Sequence, residues 1–130
     1  MTGLTGGTAG QAPGEPVREP GRLWFLVLGV AVVVQLVVLY MPTAPAGPQI
    51  AGLDKLVHVA IFAVPAMAAL MAGVDARWVI GILAVHAPVS ELTQHFALPH
   101  RSGDPLDVMA DFAGLALAAL AYMVWSRRQS

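Results

Sequence analysis

Three pairs of polar residues recur at a spacing of four: Asp54 with His58, Glu91 with His95, and Asp107 with Asp111. On a helix that spacing puts both members on one face. Gln94 joins Glu91 at a spacing of three, and Lys55 and Arg101 stand close to the pairs in sequence. Carboxylates and amides in such a set can accept hydrogen bonds from sugar or amine groups, while Lys55 and Arg101 can meet phosphate or carboxylate. Together these residues form a candidate ligand-binding set of Asp54, Lys55, His58, Glu91, Gln94, Arg101, Asp107 and Asp111. Glu91, His58 and Asp107 are the groups that general acid–base chemistry would use. His58, Glu91, His95, Asp107 and Asp111 carry the nitrogen and oxygen donors that a metal ion would take. No metal-binding signature accompanies them, so neither a metal nor another cofactor is expected. The chain has no cysteine, which removes thiolate chemistry and disulfides.

The elements that carry these residues are set by composition. Of 130 residues, 57% are hydrophobic and only 12% are charged, about half the share in soluble domains. A small domain has a high surface-to-volume ratio, and too few polar residues are present to cover one. The chain is expected to be an all-α membrane protein. Seven basic against eight acidic residues exclude the basic stripe that nucleic acid requires. Residues 1–21, rich in Gly and Pro, read as a disordered tail. Residues 22–130 read as a bundle of four transmembrane helices, with spans at about 23–41, 54–73, 77–96 and 105–125. The first apolar run, Leu23 to Met41, covers about 28 Å as a helix and suits an anchor better than a cleaved signal peptide. Asp104-Pro105 marks the start of the last helix, as N-cap and first helical residue.

Topology follows from the basic residues. With the N-terminus inside, five Lys and Arg fall on the cytoplasmic side and two, Lys55 and Arg101, on the other, which predicts cytoplasmic termini. The opening of the second helix, the close of the third and the opening of the fourth then share the outer end. Asp111 would lie roughly 10 Å along the axis from Asp104, Glu91 about 7–8 Å from its helix end, and His58 about 6 Å beyond Asp54. These depths match. Ionisable groups in membrane spans normally face the bundle interior and pair with one another. Plainer roles are also expected: Asp54, Lys55 and Arg101 as interfacial charges, Asp104 as an N-cap, His86 as a hydrogen-bonded packing residue, and Gln35 as a link between helices.

The order of these residues resembles the VanZ-like family of small bacterial membrane proteins. The likeness rests on Asp54-Lys55-x-x-His58-x-x-x-Phe62, then Glu91-x-x-Gln94, then Arg101-x-x-Asp104-x-x-Asp107-x-x-x-Asp111-x-x-Gly114, across residues 54 to 114. Asp111 stands where the family commonly has Asn, and Ala118 where a second Gly is common. The change from Asn keeps an acceptor, loses the amide donors and adds a charge. The resemblance implies a compact helical domain in a bacterial cytoplasmic membrane. The name-giving member contributes to resistance against teicoplanin, a glycopeptide acting outside that membrane, so the likeness implies an influence on glycopeptide susceptibility.

Three functions compete. The favoured expectation is a non-enzymatic membrane protein whose outward site binds a lipid-linked or cell-wall headgroup. The second is an intramembrane hydrolase or transferase with Glu91 as base, or with His58 oriented by Asp54. The third is a structural protein whose polar cluster only fixes helix packing. The expected partners are the lipid bilayer, such a headgroup and, for an oligomer, further copies of the chain; a lone four-helix unit lacks the repeats of a transporter.

Overall fold

The computed structural model describes residues 20–43 and 50–130. Four α-helices form in that part: α1 (Pro20–Tyr40), α2 (Leu53–Met71), α3 (Ala76–Ala97) and α4 (Pro105–Gln129). The expected tail over residues 1–21 lies outside the described residues, except for Pro20 and Gly21, which open α1. Helices α1, α2 and α4 are long and apolar enough to cross a membrane. Helix α3 is as long, at 22 residues. Its last two turns carry Ser90, Glu91, Thr93, Gln94 and His95, and it falls short of the same apolarity.

Local chemistry sets the helix ends. Helix α2 closes with Gly73 in the left-handed region at φ 86°. Its amide donates to the Leu70 carbonyl at 3.0 Å and that of Val74 to the Ala69 carbonyl at 3.0 Å, the paired bonds of a Schellman turn. Two residues later Asp75 caps α3 by accepting the Arg77 amide at 2.9 Å. Asp104 caps α4 in the same way, accepting the Leu106 amide at 2.9 Å, with Pro105 at the first helical position where its missing N–H is not needed.

Helix α2 is central: it packs on α1, α3 and α4, and its pairing with α4 is the most extensive. Where α4 crosses α2, a side chain at Gly114 would run into the Val59 carbonyl and stand 3.2 Å from the Ala63 amide nitrogen. Only glycine allows the two backbones this approach, and Ala110 and Ala118 continue the small, buried stripe one turn to either side. Close backbone approach through small residues is how helices associate where no water drives them together. The apolar core is formed largely by Phe62, Leu39, Leu70, Leu115 and alanines. The outside is apolar too: Leu26, Val30, Ile82, Leu106 and Met109 are each more than 60% exposed. Among its residues whose burial is described, helix α1 buries only Gln35 and Leu39, as suits a helix with lipid on most sides.

The end of α1, the start of α2, the end of α3 and the start of α4 lie together. Side-chain bonds tie Arg101 to Val38 and Met41, Lys55 to Asp104, and Asp104 to Glu91. All the chemistry-bearing pairs singled out in the sequence are at this polar end.

Candidate functional site

Lys55, in the first turn of α2, is the rim of the cluster. Its ammonium carries three N–H donors and meets three carboxylates: Asp107 at 2.6 Å, Asp104 at 2.7 Å and Asp54 at 3.0 Å. Asp104, in the loop before α4, is held below the ordinary aspartate range, first by the Lys55 bond and then by the Leu106 amide. One turn deeper lies His58, buried with an exposure of 5%. Its Nδ1 is 2.8 Å from Asp111 Oδ1, its Nε2 3.7 Å from Asp107 Oδ2, and Glu91 Oε1 stands 3.9 Å from Nδ1. Helix α3, through Glu91, and helix α4, through Asp107 and Asp111, therefore bring three acidic groups to one imidazole of α2.

Glu91 is fixed by the loop opposite it. The Asp104 backbone N–H donates to Glu91 Oε2 at 2.9 Å, and Gly103 sits so close that a side chain there would stand 2.6 Å from the Glu91 carbonyl oxygen. Its other oxygen, Oε1, is buried without a partner, as is Oδ2 of Asp111. Gln94 is buried and accepts from Arg101 Nη2 at 3.1 Å, while its Nε2 has no partner. Arg101 Nη1 donates to the Val38 carbonyl at 3.2 Å and the Met41 carbonyl at 3.4 Å. These belong to the last turn of α1 and the residue after it, where carbonyls lack helical partners and the dipole favours a cation.

Several expectations change. His58 pairs with Asp111 of α4, not with Asp54 on its own helix. Four residues advance a helix by about 400°, so the second member of such a pair stands about 40° round. That rotation buries His58 against α4 and leaves the Asp54 carboxylate 62% exposed beside Lys55. The same offset separates Glu91 from His95. Glu91 is buried, whereas His95 is exposed and lies edge-on to Phe96, away from the other proposed metal donors. Asp107 and Asp111 both stay buried on the α4 face. Lys55 and Arg101, expected to meet an anionic ligand, are engaged by the protein's own acceptors. His86 does hydrogen-bond: Tyr40 Oη lies 3.0 Å from its Nε2, and Phe62 packs against the ring. Gln35 is buried as a helix link would be, yet its Nε2 has no partner.

Sequence spacing did not reveal Arg101 as the cap of α1, nor the Asp104 amide as the clamp on Glu91. The sole trace of the second is Gly103, a residue with no side chain where the loop must pass over α3. A groove of about 530 Å³ between α1 and α2 is lined entirely by apolar groups, among them Leu26, Val30, Val34, Ile61 and Val64, and takes no part in the polar cluster.

Comparison with known proteins gives no match, whether to a family model, to a curated protein or to a solved structure. The all-helical fold with three membrane-length apolar helices defines the class as a membrane protein.

Proposed function

We infer that the chain crosses a bacterial cytoplasmic membrane four times, with both termini in the cytoplasm and the polar cluster beneath the outer headgroups. On this reading α3 completes the fourth crossing, its polar turns shielded by α2 and α4. The excess of basic residues at the other end supports the orientation. The cluster is then a binding site for the headgroup of a lipid-linked or cell-wall molecule, in a protein of VanZ-like type.

The observation that carries this reading is the pair of buried, unbonded carboxylate oxygens, Glu91 Oε1 and Asp111 Oδ2, in a cluster drawn from three helices. Buried acceptors without partners are costly, and a ligand presenting hydroxyl or amine donors would satisfy them. Because Lys55 and Arg101 are occupied, recognition runs through the acceptors, not through the cations. Glu91→Ala and Asp107→Ala, at normal protein level, should each change susceptibility to envelope-directed drugs, teicoplanin first, by several-fold. Unchanged inhibitory concentrations with protein present would remove the headgroup reading.

A second reading has an observation of its own: Lys55 binds residues 49 and 52 positions away, which is what a lock on helix register would do. If Glu91→Gln with Asp107→Asn altered drug susceptibility only in proportion to lost protein, the cluster would be such a lock.

A further inference from the structure

Within the cluster, the orientation of two side chains is over-determined. The His58 ring is held by Asp111, whose Oδ1 lies 2.8 Å from Nδ1, a length at which the ring nitrogen donates to the carboxylate. Its Nε2 looks toward Asp107 Oδ2 at 3.7 Å, beyond hydrogen-bond length. With the proton on Nδ1, Nε2 turns a lone pair toward the lone pairs of a carboxylate. Glu91 is held by the Asp104 amide on Oε2, which leaves Oε1 buried, unbonded and 3.9 Å from the same ring. An imidazole with Nδ1 fixed by one carboxylate, Asp111, and Nε2 presented to another, Asp107, is the arrangement that metal-binding histidines use; Glu91 Oε1 stands beside the same ring, 3.9 Å from Nδ1.

The geometry points to a site for one divalent transition-metal ion, held by His58 Nε2, one oxygen of Glu91 and one oxygen of Asp107, with Asp111 orienting the imidazole. One donor atom from each of the three residues can be chosen so that all lie within 4.8 Å of one another. Around a tetrahedral ion with bonds of about 2.0–2.2 Å, donors stand roughly 3.3–3.6 Å apart. The distance from His58 Nε2 to Asp107 Oδ2, 3.7 Å, is already close to that, and Glu91 Oε1, whose nearer ring nitrogen is Nδ1 at 3.9 Å, would have to draw in toward Nε2. One nitrogen with two carboxylate oxygens suits zinc or manganese and not the thiolate-seeking metals. Charge argues the same way. Glu91, Asp107 and Asp111 are buried carboxylates, and Lys55, the cation that reaches one of them, is shared with Asp54 and Asp104. An ion of charge +2 would offset the surplus and satisfy Glu91 Oε1. It binds whether or not a headgroup does, and its open coordination position is where an anionic headgroup would meet a site whose own cations are engaged.

The test uses the full chain purified in detergent, stripped of metal with a chelator and titrated with Zn²⁺ alone. Calorimetry and elemental analysis should find one zinc per chain, with a raised thermal midpoint. His58→Gln and Glu91→Gln should weaken binding at least 100-fold, and Asp111→Asn about 10–100-fold, as for other residues that orient a ligand. His95→Ala, whose exposed side chain lies edge-on to Phe96 outside the cluster, should bind as wild type does. A folded wild-type chain that takes up no zinc overturns the proposal, as does His95→Ala weakening it as much as Glu91→Gln. If Glu91→Gln does not fold, the zinc-induced midpoint shift of wild type and its loss in Asp111→Asn decide the matter alone. No zinc uptake beside an intact Glu91→Ala susceptibility change would reject the ion and leave the headgroup reading standing; zinc uptake without that change would do the reverse.

Discussion

Two charged regions of the described chain are built in opposite ways. At the turn between α2 and α3, Asp75 and Arg77 pair across two residues, with side-chain exposures of 46% and 86%. Such a pair forms wherever the turn forms, and water screens it. At the polar end, Lys55 joins residues 49 and 52 positions away, and His58 joins one 53 positions away. These bonds exist only once α2 and α4 have docked, and the inner ones, through Asp107, His58 and Asp111, are largely shielded from water. The first arrangement finishes a helix; the second depends on the whole fold, and so can report on it or be altered by a ligand. A charge in a membrane protein is informative in proportion to the sequence distance over which it is answered.

The comparison breaks most forcefully at Gly114. The α2–α4 approach there brings His58 level with Asp111, and a larger residue meets backbone that no side-chain rotation can move aside. Gly114→Val is expected to destabilise the chain by about 3 kcal/mol, the upper end of the usual overpacking range. Thermal unfolding in detergent followed by tryptophan fluorescence should show the lowered midpoint; a wild-type midpoint would mean that α2 and α4 do not approach as described. Next in size is Lys55→Met. It leaves Asp107 facing two other acids without its cation, and lies between an exposed and a buried pair, so a loss of about 2 kcal/mol is expected from the same measurement. Restoration of most of that loss by adding Asp107→Asn would show that the stranded carboxylate, not the lost lysine stem, carries the effect.

Much of this polar end was readable from residue order. Helical periodicity and apolar length locate the four helices, and Asp104-Pro105 marks where α4 begins, because capping chemistry is local. Antiparallel succession then brings residues 54–58, 91–94 and 104–111 to one end. What spacing could not supply was rotation about each helix axis. The 40° step between positions four apart decides that His58 faces in and Asp54 out, and that Glu91 is buried while His95 is not, and it depends on which neighbour each helix meets. Gly114 is the residue that settles that meeting for α2 and α4; its spacing puts it on the face of Asp107 and Asp111, but that the α2 backbone passes there shows only once the partner helix is present. Arg101 was harder still, since two of its three acceptors are the backbone carbonyls of Val38 and Met41, groups that any sequence has and none displays.

Arg101 gives the next smaller effect. Lysine keeps the charge but lacks the planar fork that reaches Gln94 and the Val38 and Met41 carbonyls together, so Arg101→Lys should lower stability by about 1 kcal/mol, the worth of one such hydrogen bond. The loss should appear as faster hydrogen exchange over the last turn of α1; exchange unchanged there would show that α1 is held by lipid and not by the cap.

The smallest effect belongs to the turn. Asp75 is held below the ordinary aspartate range by its bonds to Arg77, first from the guanidinium and then from the backbone amide. A carboxyl whose folded value is lowered adds stability that is fully present above its unfolded value, near pH 4, and that is lost as pH falls through the lower, folded one. Arg77→Ala removes the side-chain part and should reduce that acid-side loss, leaving stability at neutral pH almost unchanged because the pair is solvated. Asp75→Asn keeps a capping oxygen and should abolish Asp75's share of the pH dependence outright. Midpoints recorded from pH 3 to pH 7 for the three chains measure both. If Arg77→Ala instead lowered the midpoint at pH 7 as much as Lys55→Met does, the turn would be as deeply coupled to the fold as the polar end, and the contrast between the two regions would be lost.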